Sequence, residues 1–201
     1  MLLLVAEYLG IAAFAASGFT IAVRARLDLL GIYLSAFLTA LGGGILRDLL
    51  AGRPPYSFTD AMPSLTVVTV TTFLILLRMH EREALLSKGL FVFIDALGMV
   101  SFALSGGLVA IEAGYNPAGV TLLAFTTAVG GGILRDMLIN RVPYVLHGGF
   151  YGIIALGIGL LLSLLHPLGL LRTPILLILF FSGVFLRFIA WKRRWRLPKL
   201  N

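Results

Sequence analysis

The chain has 201 residues, 59% hydrophobic and 12% charged, with a mean hydropathy of +1.01. That apolar share exceeds an ordinary soluble domain's and indicates one integral membrane domain over residues 1–201, with no room for a second, soluble one. Cysteine is absent, which excludes disulfide frameworks and thiolate metal sites. The formal charge of +7 gathers at helix ends and in the tail WKRRWRLPKLN, where it suits anionic lipid headgroups; no polar face remains to bind nucleic acid.

The opening MLLLVAEYLG has no basic n-region and carries Glu7, so it is taken as mature structure rather than a signal peptide. Seven segments approach the roughly 20 apolar residues of a membrane-spanning helix. The first runs from about Leu2 to Val23 and stops at Arg24, Arg26 and Asp28. The second runs from about Leu29 to Ala51, where Gly52, Arg53, Pro54 and Pro55 end it. The third, about Pro63 to Leu77, is short and rich in threonine. A charged connection, residues 78–88, leads to the fourth, about Gly89 to Ile111, and AGYNP turns the chain into the fifth, about Ala118 to Ile139. The sixth runs from about Val145 to Leu165 and the seventh from about Pro174 to Trp191. On the sixth, Gly148, Gly152, Ala155 and Gly159 form a close-packing stripe. His80, His147 and His166 are scattered without metal-ligand spacing.

One stretch is written twice. Residues 42–50 read GGGILRDLL and residues 130–138 read GGGILRDML, an offset of 130 − 42 = 88. The same offset carries Glu7 to Asp95, Phe14 to Phe102, Ser17 to Ser105, Thr39 to Thr127, and the R-x-P-Y of Arg53–Tyr56 to that of Arg141–Tyr144. Repeat one therefore covers about 5–86 and repeat two about 93–172, with the seventh helix (about 174–191) and a basic cytoplasmic tail (192–201) outside. Three helices per repeat is an odd number, so the second copy enters from the opposite side. The expected fold is all-α and polytopic: two inverted three-helix repeats plus one helix, a pattern that places discontinuous helices face to face at the midplane. One side of the membrane receives Arg24, Arg26, Arg78, Arg82, Lys88, Arg141 and the basic tail, while the other receives only Arg53 and Arg172. The positive-inside bias puts the C-terminus in the cytoplasm and the N-terminus outside.

Three glycines in a row, twice, at symmetry-related sites predict helix breaks at Gly42, Gly43, Gly44 and at Gly130, Gly131, Gly132. Broken backbone at membrane depth survives where it lines a watery cavity; close helix packing is the alternative. Arg47, Asp48, Arg135 and Asp136 follow the triplets. Neighbours point about 100° apart on a helix, so cross pairs Arg47–Asp136 and Arg135–Asp48 are expected, as a structural lock or as a gate. Glu7 and Asp95 suit helix N-termini or a pore mouth; Ser17, Ser105, Thr39 and Thr127 are the further pore-mouth candidates. No nucleophile has a base motif beside it, and GGGILRD lacks the Lys-Ser/Thr of a phosphate loop, so an enzyme is not expected.

The doubled GGGxxRD, the helix count and the coverage of about residues 5–190 resemble the prokaryotic trimeric intracellular cation (TRIC) channel family. The resemblance implies a homotrimer with one pore per protomer bounded by kinked second and fifth helices. It implies conduction of potassium and sodium as permeating ions, with no cofactor and no other metal. The family's functional positions fall on the two glycine triplets with Arg47, Asp48, Arg135 and Asp136. The lysine motif of the animal members is missing here. Some bacterial relatives are described as glycine transporters, so carriage of a small solute such as glycine is the second reading.

Overall fold

The computed structural model describes residues 2–81, 88–146 and 150–198, without the side chains of residues 2 and 3. The expectations for Arg82, His147, Gly148 and Lys199 lie outside these residues. The described elements are helical: α1 (Leu2–Arg24), α2 (Leu29–Leu50), the single turn α3 (Tyr56–Thr59), α4 (Met62–Leu76), α5 (Lys88–Glu112), α6 (Pro117–Leu138), α7 (Tyr151–Leu165) and α8 (Thr173–Lys192). Single 3-10 turns form at Met79–Glu81 and Tyr144–Leu146.

Local chemistry sets the boundaries. Asp28 caps α2 by accepting from the Gly31 N–H at 2.8 Å, and Asn116, 88 residues on, caps α6 through Gly119 N–H at the same distance. Such caps satisfy amide groups that have no partner within their helix. The AGYNP turn follows α5, with Gly114 at φ +73°, a conformation that glycine adopts without steric cost.

Five helices are long and apolar enough to cross a membrane: α1, α2, α5, α6 and α8. The third and sixth expected spans appear as α4 and α7, of 15 residues each. At 1.5 Å per residue they extend about 22 Å, short of a hydrocarbon core of about 30 Å. The shortness is a property of the repeat, because α7 occupies nearly the range that the offset of 88 predicts from α4. The sixth helix begins later than expected, at Tyr151 rather than Val145, since Tyr144–Leu146 forms a 3-10 turn.

The repeats meet through α1, α2, α5 and α6. α4 packs on α1, α7 on α5 and α6, and α8 on α5. The stripe of the sixth expected helix makes the packing foreseen. A Cβ on Gly159 would lie 2.8 Å from Ala124 Cβ, and one on Gly152 would lie 2.8 Å from the Phe125 ring. Leu29, Leu30, Phe58, Phe73, Phe181 and Phe185 point outward, each more than half exposed. An apolar exterior over buried charge is the inverse of a water-soluble surface.

Candidate functional site

The two GGGILRD segments meet where α2 crosses α6. A Cβ on Gly43 would lie 2.1 Å from Thr127 O, and one on Gly131 would lie 2.1 Å from Thr39 O. Position 43 faces 127 while 39 faces 131, so the helices run antiparallel. The contacts also exchange partners: a Cβ on Gly42 would lie 2.7 Å from Leu134 Cδ1, and one on Gly130 would lie 2.7 Å from Leu46 Cδ1. Reciprocal pairing of this kind marks a local two-fold axis.

Both triplets lie inside uninterrupted helices, so the expected breaks are absent. The glycines serve close approach instead, because each helix's backbone occupies the space a side chain would need on the other. Gly44 and Gly132 face away from the crossing, and a Cβ at either would meet atoms no nearer than 3.8 and 3.7 Å. Thr39 and Thr127 also sit at the crossing, their hydroxyls donating to Ser35 O and Leu123 O at 2.6 Å.

Beyond the crossing each helix carries its Arg-Asp pair to an opposite end of the contact. Arg47 lies four residues past Gly43 and Arg135 four past Gly131. That places the two arginines about 12 Å apart along the axes, too far for the expected cross pairs. Arg47 instead pairs with its own neighbour, its Nε donating to Asp48 Oδ1 at 2.8 Å. The 100° between adjacent positions does not forbid this contact, because the long arginine stem curls back to the carboxylate. Asp48 also receives Arg53 Nε at 2.9 Å and Tyr56 N–H at 2.9 Å, which ties the loop after α2 to its helix.

The partner that sequence reasoning missed for Arg47 is Glu7. Arg47 Nη1 donates to Glu7 Oε1 and Oε2 at 2.9 and 2.7 Å and to Ser105 Oγ at 2.6 Å; Ser105 Oγ in turn donates to Glu7 Oε2 at 2.8 Å. Arg47 and Asp48 are each 1% exposed and Glu7 8%. Glu7 lies in the second turn of α1, so it is a buried ion-pair partner and not a helix-terminal acid. The signal was present in the spacing. Glu7 stands 24 − 7 = 17 residues before the end of α1, and Arg47 stands 47 − 29 = 18 residues after the start of α2. A short connection between two antiparallel helices brings those positions to one depth.

The second cluster repeats this arrangement with a difference. Arg135 Nε donates to Asp136 Oδ1 at 2.9 Å and Tyr144 N–H to Asp136 Oδ2 at 2.8 Å. Asp95, the counterpart of Glu7, accepts from Ser17 at 2.9 Å. No salt bridge joins Asp95 to Arg135 among the described residues, and Arg135 Nη1 is buried without a hydrogen-bond partner. Arg187 of α8 adds a cation with no counterpart in repeat one. It is 2% exposed, donates from Nη2 to the Tyr144 hydroxyl at 3.1 Å, and lies 5.0 Å from the centroid of the Tyr151 ring. The sequence reading missed Arg187, although a lone arginine within the apolar run of the seventh helix was a signal that could have found it.

A cavity adjoins each cluster. One of about 470 Å³ is lined by Glu7, Arg47, Arg53 and Tyr56, and a narrow recess beside this cluster reaches Ile11, Gly44 and Phe102. At the other end a cavity of about 170 Å³ is lined by Asp95, Arg135, Asp136, Arg141, Tyr144 and Tyr151. Between them Phe14 and Phe102, each 1% exposed, pack at a tilt of 59° with ring centroids 5.2 Å apart. They are 88 positions apart and face each other across the local two-fold.

These features define a multi-pass helical membrane protein with an internal repeat and a buried charged cluster toward each end of the repeat contact. The family model described as glycine transporter matches residues 4–80 and 92–167. The chain is 36% identical over 198 residues to the UPF0126 membrane protein YvgT of Bacillus subtilis (strain 168), covering 94% of this chain and 92% of that one. It is 31% identical over 145 residues to the UPF0126 inner membrane protein YadS of Escherichia coli (strain K12), covering 72% and 70%. A solved structure described as the structural basis for conductance through TRIC cation channels superposes with a TM-score of 0.87 at 32% identity, covering 98% of this chain and 96% of that one. The crystal structure of a prokaryotic TRIC channel in 0.5 M KCl gives 0.88 at 30% identity, covering 98% and 99%. The chain belongs to this family, which the solved structures identify with the prokaryotic TRIC channels.

Proposed function

We propose that the chain forms a homotrimer of monovalent cation channels in the cell membrane, each protomer conducting potassium and sodium along its own pathway. The observation that carries this is the likeness to TRIC cation channels over 98% of the chain at 30% and 32% identity. The pathway runs across the local two-fold axis, from the Glu7–Arg47 cavity past Phe14 and Phe102 to the Asp95–Arg135 cavity. The antiparallel crossing at Gly43 and Gly131 supports an inverted repeat lying in the membrane, with repeat one over about 5–86 and repeat two over about 93–172. The lysine and arginine bias supports an external N-terminus and a cytoplasmic C-terminus, with the basic tail on anionic headgroups.

On this reading the aromatic pair and the two ion-pair clusters stand in series along the pathway and close it. Charges so placed open a route for ions only if hydration replaces their mutual contacts. Carriage of glycine is the second reading, favoured by the description of the family model. Proteoliposomes loaded with potassium separate the two. A channel dissipates a potassium gradient at a rate indifferent to glycine, whereas a carrier shows saturable glycine uptake and little uncoupled potassium flux.

A further inference from the structure

In repeat one, the Nε/Nη2 edge of Arg47 belongs to Asp48 and its Nη1 to the carboxylate of Glu7. In repeat two, the Nε/Nη2 edge of Arg135 belongs to Asp136 in the same way. No protein oxygen takes the position equivalent to Glu7's at Arg135 Nη1. The cause is one methylene group: Asp95 stands where Glu7 stands in repeat one and keeps the equivalent serine contact, Ser17 in place of Ser105, with Tyr151 beside it, but it does not reach Arg135.

Around the first cavity two cations, Arg47 and Arg53, meet two acids, Glu7 and Asp48. Around the second, the buried Arg135 and Arg187 meet Asp95 and Asp136, and Arg141 is exposed. Arg135 is 4% exposed and Arg187 2%. A buried guanidinium N–H without an acceptor, as at Arg135 Nη1, is costly because its desolvation is not repaid. The adjoining cavity of about 170 Å³ exceeds the roughly 30 Å³ share of one water several times over.

We infer that this cavity is a binding site for a small carboxylate, which takes at Arg135 Nη1 the place that the Glu7 side chain takes at Arg47. The protein thus carries one internal lock and one lock completed by a ligand. The ligand is either a simple monocarboxylate or the carboxylate end of a small amino acid. The site does not depend on what permeates, because it rests on the difference between the two repeats.

The test is isothermal titration calorimetry of the purified protein in neutral detergent, using sodium acetate against sodium chloride at matched ionic strength. The wild type should bind acetate saturably, one per protomer. Asp95→Glu supplies the missing methylene, closes the lock from within and should weaken acetate binding at least tenfold. Asp95→Asn removes the acid without reaching Arg135 and should bind acetate as well as the wild type or better. Competition by glycine assigns the site to amino acids; its absence assigns it to simple monocarboxylates. No saturable acetate binding by the wild type, or equal binding by wild type and Asp95→Glu, would overturn the inference.

Discussion

Replacing Gly43 by alanine puts a methyl carbon 2.1 Å from the carbonyl oxygen of Thr127. Carbon–oxygen contacts across packed helices settle at roughly 3.3–3.6 Å, so α2 and α6 must part by more than an ångström. The obstructing atom is backbone, and no side-chain rotation relieves it. Overpacking of this sort costs about 1–3 kcal/mol, here at the upper end. Alanine's helix propensity returns about 1 kcal/mol, leaving a net loss of about 2 kcal/mol. Gly44→Ala is the internal control, since its Cβ would find only atoms at 3.8 Å and it should be neutral or slightly stabilising. Gly131→Ala should match Gly43→Ala. The double variant should cost less than the sum, because one separation of the helices accommodates both methyl groups. Unfolding midpoints in detergent measure the series. Equal stability of Gly43→Ala and Gly44→Ala would refute the close-crossing account.

Other expectations follow from the clusters, the aromatic pair and the charge bias. Glu7→Gln removes one of the two acidic partners of buried Arg47, leaving Asp48, and should destabilise the protein by about 3 kcal/mol, the lower end for a broken buried pair. Asp95→Asn, which disturbs hydrogen bonds with Ser17 and Tyr151 but breaks no salt bridge, should cost about 1–2 kcal/mol; unfolding curves that rank the two in reverse would contradict the assigned pairings. Phe102→Leu narrows the aromatic barrier and should raise the open probability in single-channel records, with Phe14→Leu doing the same; unchanged records from both would remove the pair from the pathway. A reporter fused after Asn201 should be active only in the cytoplasm, and an external signal would reverse the proposed orientation.

The helix boundaries and the repeat were readable because they rest on local chemistry. Asp28, Asn116, Pro54 and Gly114 act within a few residues of where they stand. The role of the triplets was not readable from GGG alone, since a helix break and a close crossing both require the absence of a side chain. The distinguishing pattern lies outside the triplet: Ser35, Thr39 and Gly43 stand four apart, one small-residue stripe ending at the crossing, and Thr127 and Gly131 continue it on the partner helix. The pairing of Arg47 with Glu7 follows from matched depth in an antiparallel helix pair, which the repeat offset alone does not reveal. The unmatched Nη1 of Arg135 depends on one methylene at position 95, and only coordinates show that Asp95 keeps its counterpart's serine contact without reaching the arginine.

The central claim is that a protomer passes monovalent cations, and a planar bilayer tests it most directly. With purified protein under a potassium chloride gradient, single-channel currents should reverse near the potassium equilibrium potential. Replacing part of the potassium by sodium should shift that potential only modestly, and added glycine should leave it unchanged. Reversal near the chloride potential, or no unitary current together with saturable glycine uptake by the same preparation, would contradict the account.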